Sequence, residues 1–455
     1  MRFILLSGGS GKRLWPLSNT ARSKQFLKVL TSKNGKQVSM VQRVWNQLAN
    51  LNLNKSTLIA TSKVQAEILK TQLGEDIELV IEPCRRDTFP AIALACTYLY
   101  TVKKIDLEEV VGVLPVDPYV DDEFFEKVAN LENILLTSES DLALLGVKPL
   151  LPTSKYGYIV PKNSSNKSYL EVDYFVEKPP QSTAKELIKH GSLWNCGVFA
   201  FKLKYLINVL KEKNIPTDYY QLIKNYNLLP KISFDYEVVE KTKNIVVTPY
   251  NKDWKDLGTW NTLTEEMTTN QLGKGKLSED SINTHLINEL DIPVVVLGIQ
   301  NAVVAVSSDG VLVADKNKSP QIKDFINDYE YRPMYEERLW GWYRVLDFTK
   351  HGNGNEVLTK RIYIKKGRNL SYHYHNHRTE IWAITKGEGL FAIDGKLQKV
   401  RAGDVLRINS KEKHSIKAIT DLEIIEVQTG NGIVEEDIVR LLMTWEEIEK
   451  NCNEN

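Results

Sequence analysis

Three glycines and two cationic side chains near the N-terminus have the spacing of a phosphate-binding loop. Gly8, Gly9 and Gly11 follow a short apolar run that is typical of a buried strand. Glycine adopts positive φ angles at little cost and lets a ligand approach the backbone, so such a loop can direct several N–H groups at an anion. Arg13 and Lys24 would add positive charge at the same place. The pattern predicts binding of a nucleotide, although an isolated glycine-rich turn is often only a turn.

Two aspartates follow apolar or aromatic segments in positions that suit a hard metal ion. Asp117 comes at the end of an apolar run, and Asp256 lies in a turn that also contains tryptophan and glycine. Nucleotidyl transfer requires compensation of the negative charge on the phosphates, and Mg²⁺ prefers a few carboxylates and retained waters. An aspartate after a strand is more often a turn or cap residue, so both are candidates that need further context.

Histidines are concentrated in the C-terminal part of the chain. Five of the seven lie beyond residue 350. On a strand His373, His375 and His377 would project to one face, because side chains alternate along a strand. Glu380 and His414 could complete a mixed nitrogen and oxygen site that suits Zn, Fe, Mn, Ni or Co.

Length, charge and cysteine usage narrow the classes of protein. A chain of 455 residues is long enough for two or three domains. Its 59 lysines and arginines nearly balance 58 aspartates and glutamates, which argues against nucleic acid or an acidic membrane as the main partner. Four separated cysteines without C-x-x-C spacing indicate reduced thiols. Because no segment approaches about 20 consecutive apolar residues, we expect a soluble, cytoplasmic protein.

Three regions differ in their predicted secondary structure. Residues 1–271 alternate strand-like runs with helical patterns, which predicts a mostly parallel, Rossmann-like sheet that binds ligands at the carboxyl ends of its strands. Residues 272–330 contain short β-rich pieces and form a predicted connector. Residues 331–455 show strands separated by glycine turns, the pattern of a β-barrel or sandwich. The predicted fold class is α/β, with a β-rich connector and a C-terminal barrel.

The N-terminal region resembles the sugar-1-phosphate nucleotidyltransferases. Their opening signature, G-G-x-G-x-R-L-x-P-L followed by P-K, matches residues 8–17 and Lys24, with Ser23 in place of the proline. Further matching segments extend across the region at 82–93, 156–159, 175–179 and 194–199. The resemblance implies a nucleotidyltransferase domain and a reaction without a covalent enzyme intermediate.

The resemblance also implies roles for individual residues. The implied nucleotide-binding residues are Leu6, Gly8, Gly9, Gly11, Arg13 and Lys24. The implied catalytic residues are Arg13, Lys24, Asp117 and Asp256. The two aspartates are the expected Mg²⁺ ligands. The implied sugar-phosphate residues are Gly157, Glu177, Lys178 and Asn195. Among these, Glu177 and Asn195 are expected at sugar hydroxyls and Lys178 at the phosphate.

Within that family the chain is similar to the mannose-1-phosphate guanylyltransferases. The resemblance lies in residues 11–17, 24–27, 90–93 and 233–241. It implies that GTP and mannose 1-phosphate give GDP-mannose and pyrophosphate. Asp87 stands where asparagine is usual, and Pro118 stands where histidine is usual. Another nucleotide or another sugar 1-phosphate, such as a manno-heptose, therefore stays open as the alternative substrate.

The C-terminal region resembles the cupin of type II phosphomannose isomerases. The spacing G-x5-H-x-H-x4-E-x6-G at residues 367–387 matches the first cupin motif, with histidine at 373 where glutamine is usual. The resemblance implies a divalent transition metal such as Zn²⁺ or Co²⁺ at His373, His375, Glu380 and His414. Isomerase activity is one interpretation. The others are an isomerase whose N-terminal half binds nucleotide only as a regulator, and a non-catalytic sugar-binding or dimerising module. We expect a homodimer, because cupin barrels often pair.

Overall fold

A computed structural model describes residues 1–9, 11–162, 168–326, 332–352 and 354–453. The chain divides into two compact units. The first contains residues 1–14 and 23–270, and the second contains residues 15–22 and those from 271 onward. The predicted α/β fold class is confirmed, with a mixed sheet and helices in the first unit and antiparallel β-sheets in most of the second.

The strands of the first unit are β1 (Arg2–Ser7), β2 (Leu30–Thr31), β3 (Gln37–Val38), β4 (Thr57–Ser62), β5 (Glu78–Glu82), β6 (Val110–Pro115), β7 (Pro118–Tyr119), β8 (Leu142–Val147), β9 (Tyr158–Pro161), β10 (Leu170–Val176), β11 (Leu193–Lys202), β12 (Ile245–Tyr250) and β13 (Lys255–Asp256). Its α-helices are α1 (Met40–Asn50), α2 (Lys63–Leu73), α3 (Thr88–Thr97), α4 (Asp122–Ser138), α5 (Gln181–Lys189), α6 (Leu203–Glu212), α7 (Tyr219–Lys224), α8 (Phe234–Glu237) and α9 (Trp260–Glu265).

One large sheet organises the first unit, in the order β5-β4-β1-β6-β11-β8-β12-β10-β9. The β5-β4-β1-β6 half is parallel, and β11 runs antiparallel to β6, β8 and β9. Its strands are buried on both faces: Phe3 and Leu5 belong to one apolar core, and Ile4 belongs to the other. Burial on both faces explains why the strands read as continuous apolar runs. Because β1 and β6 run parallel, their carboxyl ends lie at the same edge of the sheet.

The strands of the second unit are β14 (Gln271–Leu272), β15 (Gly275–Leu277), β16 (His285–Asn288), β17 (Val294–Val296), β18 (Ala302–Ser307), β19 (Gly310–Asp315), β20 (Tyr335–Arg338), β21 (Gly341–Lys350), β22 (Asn355–Ile364), β23 (Tyr372–His375), β24 (Arg378–Lys386), β25 (Glu388–Ile393), β26 (Lys396–Arg401), β27 (Val405–Ile408), β28 (His414–Ala418), β29 (Leu422–Asn431) and β30 (Ile438–Leu442). Its α-helices are α10 (Ile322–Ile326) and α11 (Trp445–Asn453).

Two antiparallel sheets form the C-terminal part of this unit, in the orders β20-β21-β22-β29-β24-β27 and β26-β25-β28-β23-β30. Burial alternates along β22 and β29, so every second side chain points inward. Most inward residues are apolar, but several carry charge. The strands from β14 to β18 pair in parallel, and β19 returns antiparallel to β18.

Two further features concern the cysteines and the lengths of the helices. Cys84 is exposed, Cys96, Cys196 and Cys452 are buried, and all four thiols are free. Across the described parts of the chain, every helix is too short or too polar to cross a membrane.

Candidate active site and metal centre

The glycine-rich loop begins where β1 ends. Leu6 is in register with Pro115 of β6, so the loop and the residues after β6 share the same sheet edge. Gly8 and Gly9 are exposed, and φ is 124° at Gly9 and 69° at Gly11. These positive angles explain the need for glycine, because other side chains rarely adopt them.

Buried polar side chains form hydrogen bonds with the backbone carbonyls of this loop. The Ser23 hydroxyl donates to the carbonyl of Gly9 at 3.1 Å, and the Gln25 side-chain amide donates to the carbonyl of Gly8 at 3.3 Å. Gln65 in turn donates to the Ser23 hydroxyl at 2.6 Å. The serine that replaces the usual proline therefore adds a hydrogen bond that fixes the loop.

Lys24 and the two aspartates form a compact charged cluster, although they are far apart in the sequence. The Lys24 Nζ lies 2.8 Å from Asp117 Oδ2 and 3.1 Å from Asp256 Oδ1. The pairing of β7 with β13 sets this geometry, because Asp256 is opposite Pro118, the residue after Asp117. Burial alone would lower the pKa of Lys24, but the two carboxylates outweigh it and raise that pKa above its usual value.

The donor set of this cluster fits Mg²⁺. Two carboxylates turned toward one cation provide the hard oxygen ligands that Mg²⁺ prefers. Gly258 leaves room beside them, since a methyl group there would lie 3.0 Å from Asp256 Oδ1 and 3.3 Å from Lys24 Nζ. The ammonium of Lys24 therefore stands where a divalent cation would be held by Asp117 and Asp256.

Tyr156 packs against two tryptophans within electrostatic range of the charged cluster. Its ring lies 5.0 Å from that of Trp194 and 5.2 Å from that of Trp254. Burial, and then the charge of Asp256, raise the pKa of Tyr156 to about 12. Arg13 also acts on this group electrostatically and is itself exposed next to the glycine loop. The residue before Gly157 therefore lies within electrostatic range of the charged cluster.

The four residues expected at the sugar phosphate lie together. A methyl group at Gly157 would collide with Glu177 Oε2 and would lie 2.6 Å from the Phe175 ring. Lys178 Nζ is 2.6 Å from Glu177 Oε1. The backbone N–H of Asn195 donates to the carbonyl of Gly157 at 2.8 Å. Backbone and side chains of these residues thus form one polar cluster around Gly157.

One carboxylate in this polar cluster has an oxygen that receives no hydrogen bond from the described residues. The Glu177 side chain is 4% exposed, and its Oε2 is buried without a partner among the described residues. Burial, followed by the charge of Asp235, raises the pKa of Glu177. An unpaired buried acceptor is costly, so a ligand hydroxyl that donates to it would be favoured.

Asp235 is a candidate site residue to which the sequence patterns assigned no role. It lies at the start of α8, where Oδ1 accepts from the Asn195 amide at 2.6 Å. Burial raises its pKa. The only signal for it was its place in the segment 233–241 that resembles the guanylyltransferases, because its contact with Asn195 depends on the tertiary fold.

In the second unit, three histidines and one glutamate form a buried cluster. The ligand atoms of His373, His375 and His414 all lie within 4.8 Å of one another. Glu380 Oε1 is 3.1 Å from His375 Nε2, and Glu380 Oε2 is 3.5 Å from His414 Nε2. The structure thus brings together the four expected ligands. His377 does not join them: β23 ends at His375 and His377 is exposed, so the prediction that it shares their face is wrong.

The hydrogen bonds around the histidines suit metal binding. The Nδ1 of His373 faces the carbonyl of Ser371 at 2.7 Å, and the Nδ1 of His414 faces the carbonyl of Glu412 at 2.9 Å. Each contact favours a proton on Nδ1 and leaves the Nε2 lone pair for a ligand bond. Within the part of the chain that the structure describes, His414 Nε2 is buried and receives no hydrogen bond. Burial lowers the pKa of His373 and His375, which favours neutral imidazoles. The set fits a divalent transition metal.

Buried polar and charged side chains at the inward positions of β22 and β29 lie next to this cluster. Trp382 Nε1 donates to Glu380 Oε2 and to Glu426 Oε1, both at 3.0 Å. Gln428 Nε2 donates to the other oxygens of the same two carboxylates at 3.1 and 2.9 Å. Lys360 is in register with Glu426 and is also buried. The sequence patterns assigned no role to Lys360, Glu426 or Gln428. The signal that could have indicated them is a polar residue at an inward position of a strand whose other inward residues are apolar.

Comparisons with known proteins give concordant results. The family model "Nucleotidyl transferase" matches residues 2–271, and the model "Mannose-6-phosphate isomerase C-terminal" matches residues 328–442. A mannose-1-phosphate guanylyltransferase of Salmonella montevideo is 30% identical, with 96% of this chain and 98% of that protein covered. A xanthan biosynthesis protein of Xanthomonas campestris is 30% identical, with 97% and 98% covered.

A solved structure extends the comparison to the fold. It is that of a mannose-1-phosphate geranyltransferase from Thermus thermophilus, 30% identical to this chain with a TM-score of 0.60. The match covers 72% of this chain and 98% of that one.

Proposed function

Because the chain belongs to the nucleotidyl transferase family, within its mannose-1-phosphate guanylyltransferase members, we propose that it transfers the guanylyl group of GTP to mannose 1-phosphate. The observation that carries the proposal is the cluster of Lys24, Asp117 and Asp256 at the same sheet edge as the glycine loop. A phosphate-binding loop beside a carboxylate pair is what nucleotidyl transfer requires.

The reaction is a single displacement. A phosphate oxygen of mannose 1-phosphate attacks the α-phosphorus of GTP, the bond from that phosphorus to the bridging oxygen of the β-phosphate breaks, and pyrophosphate leaves. The backbone at Gly8, Gly9 and Gly11 would hold the triphosphate, with Arg13 and Lys24 balancing its charge. Asp117 and Asp256 would hold Mg²⁺, which offsets charge on the phosphates when it is bound.

The sugar phosphate would occupy a binding pocket formed by the polar cluster around Gly157. Lys178 is half-exposed and would meet the incoming phosphate. Glu177 has a buried acceptor that a sugar hydroxyl can satisfy, and Asn195 would contact a second hydroxyl. Positioning two bound substrates in this way replaces an improbable encounter with a preorganised one and supplies much of the catalysis.

The first experiment measures pyrophosphate release across a matrix of nucleoside triphosphates and sugar 1-phosphates. GTP with mannose 1-phosphate should give the highest kcat/KM. A higher value with a manno-heptose phosphate or another nucleotide would transfer the assignment to that pair.

In the same assay Asp256→Ala should abolish turnover with unchanged circular dichroism, whereas the exposed Asp253→Ala serves as control. An active Asp256→Ala protein would refute the metal role.

A second activity is proposed for the cupin. The buried set of His373, His375, Glu380 and His414 favours a divalent metal such as Zn²⁺ or Co²⁺, and such a metal can polarise sugar oxygens during exchange of mannose 6-phosphate and fructose 6-phosphate. Protein stripped with EDTA and reconstituted with each metal should interconvert the two sugars. Absence of conversion with every divalent metal would leave the cupin as a sugar-binding or dimerising module.

The regulatory alternative makes a different prediction. If the N-terminal half only binds nucleotide as a regulator of the isomerase, GTP should change isomerase activity without any pyrophosphate release.

We further propose a cytoplasmic homodimer without a nucleic-acid or membrane partner. Sedimentation of the purified protein tests the oligomeric state.

A further inference from the structure

We propose that Lys24 is a built-in competitor for the metal position, so that Mg²⁺ enters the site together with the nucleotide and not before it. The inference rests on the proposed function, because it takes Asp117 and Asp256 as the metal pair. It concerns what keeps these two carboxylates together before substrates arrive.

The geometry of Lys24 gives it this second role. Its ammonium contacts one oxygen of each carboxylate, at 2.8 and 3.1 Å, and its side chain is only 17% exposed. Two carboxylates this close together repel each other unless a cation lies between them. A lysine ammonium supplies that charge, but it cannot occupy the position at the same time as a metal ion.

The anchoring of Lys24 allows the exchange. Its backbone belongs to a short 3-10 turn, and the side chains of Gln25 and Phe26 in the same turn are buried. The backbone of Lys24 is therefore fixed beside the glycine loop, whereas a lysine side chain is a flexible four-carbon stem that can change rotamer about a fixed backbone. When a triphosphate brings Mg²⁺, the ammonium can leave the carboxylates and pair with a phosphate oxygen, and no positive charge is lost from the site.

Two consequences follow from mass action. Without nucleotide, a divalent ion must displace the ammonium and should bind weakly. With nucleotide, the displaced ammonium gains a new partner, so nucleotide and metal should strengthen each other's binding, and the coupling must be reciprocal. Removing the lysine should therefore tighten metal binding to the free enzyme and weaken the coupling.

The test is Mn²⁺ binding to the full-length protein, followed by electron paramagnetic resonance, in the absence and presence of a non-hydrolysable GTP analogue. Without the analogue, Lys24→Met should bind Mn²⁺ at least tenfold more tightly than the wild type. Lys24→Arg, which keeps the charge, should bind as weakly as the wild type. Lys33→Met is the matched control, because exposed Lys33 pairs with the single carboxylate of Asp122 at 3.3 Å.

The Asp117→Asn, Asp256→Asn double variant defines the Mn²⁺ bound elsewhere, including at the cupin histidines. If it binds as much Mn²⁺ as the wild type even with the GTP analogue, the carboxylate pair is not the metal site and the proposed assignment fails. If it loses that metal but Lys24→Met binds Mn²⁺ no more tightly than the wild type, the competitor role alone is overturned. Should Lys24→Met not fold, Lys24→Gln replaces it with the same expected result.

Discussion

Gly157 lies so close to the carboxylate of Glu177 that a methyl group added at its Cα would overlap Oε2. The same backbone accepts a hydrogen bond from the N–H of Asn195. A side chain at this position would therefore push Glu177 away from the pocket, so the glycine is required by the packing of the site and not by a turn.

Gly157→Ala should raise the KM for the sugar 1-phosphate at least roughly tenfold, which corresponds to about 1.4 kcal/mol of binding. The KM for the nucleotide should change much less, because the nearest atoms that the added methyl group would meet belong to Glu177 and Phe175. Steady-state kinetics with each substrate varied in turn measures the difference. Gly352→Ala, where a methyl group meets nothing within 4 Å, is the matched control. Equal effects on both substrates would contradict a local steric role.

Asp235→Asn should weaken sugar-phosphate binding by roughly tenfold, since it replaces a hydrogen bond to a charged acceptor, worth about 1.5 to 3 kcal/mol, by one to a neutral acceptor, worth about 0.5 to 1.5 kcal/mol. The Asn195 amide would lose its anionic acceptor at 2.6 Å and with it a fixed orientation. Isothermal titration with the sugar 1-phosphate reports the change directly. Asp173→Asn, on the exposed side of β10, should bind the ligand normally. Unchanged affinity in Asp235→Asn would exclude it from the pocket.

His285→Gln should flatten the pH dependence of stability between about pH 4 and 6.5. Burial, followed by the charge of Lys316, lowers the pKa of His285 from 6.5 to about 4. The unfolded chain therefore binds this proton below about pH 6.5 and the folded chain only below about pH 4, so acidification through the interval favours unfolding. The variant should retain about 1 to 2 kcal/mol of the free energy of unfolding that the wild type loses on acidification. This is less than the full pKa shift corresponds to, because the ring is only half-buried.

Urea unfolding of wild type and variant at pH 4.5 and pH 7 measures this effect. The exposed His351→Gln protein is the control. The same loss of stability on acidification in His285→Gln and wild type would show that another group dominates in this range.

Glu380→Gln should weaken metal binding at the cupin histidines by at least roughly tenfold. It removes a carboxylate that lies within 3.5 Å of His375 and His414 and leaves the neutral imidazoles as ligands. Metal content after dialysis against a graded chelator, measured by mass spectrometry, gives the affinity. Glu388→Gln, on an exposed position of β25, should retain the metal. Full retention by Glu380→Gln would show that the glutamate is not a ligand.

Some features could be predicted because they depend on neighbours in the sequence. Gly9 and Gly11 adopt the positive φ angles that their loop requires, immediately after a strand whose burial its apolar run predicted. The spacing of His373 and His375 likewise places both on one face of a short strand. Regular alternation fails where the strand stops, and for that reason the prediction for His377 is wrong.

Other features depend on which strands become neighbours, and local patterns do not carry that information. Lys24 and Asp256 are 232 positions apart and meet only because β13 pairs with β7 beside the end of β6. Asp235 reaches Asn195 through the placement of α8, and Glu426 approaches Glu380 through the register of β24 with β29. The sequence determined the types of chemical group and their local geometry. The tertiary structure decided which of these groups form ion pairs and hydrogen bonds with one another, because electrostatic and hydrogen-bond energies depend on distances in space and not on separation along the chain.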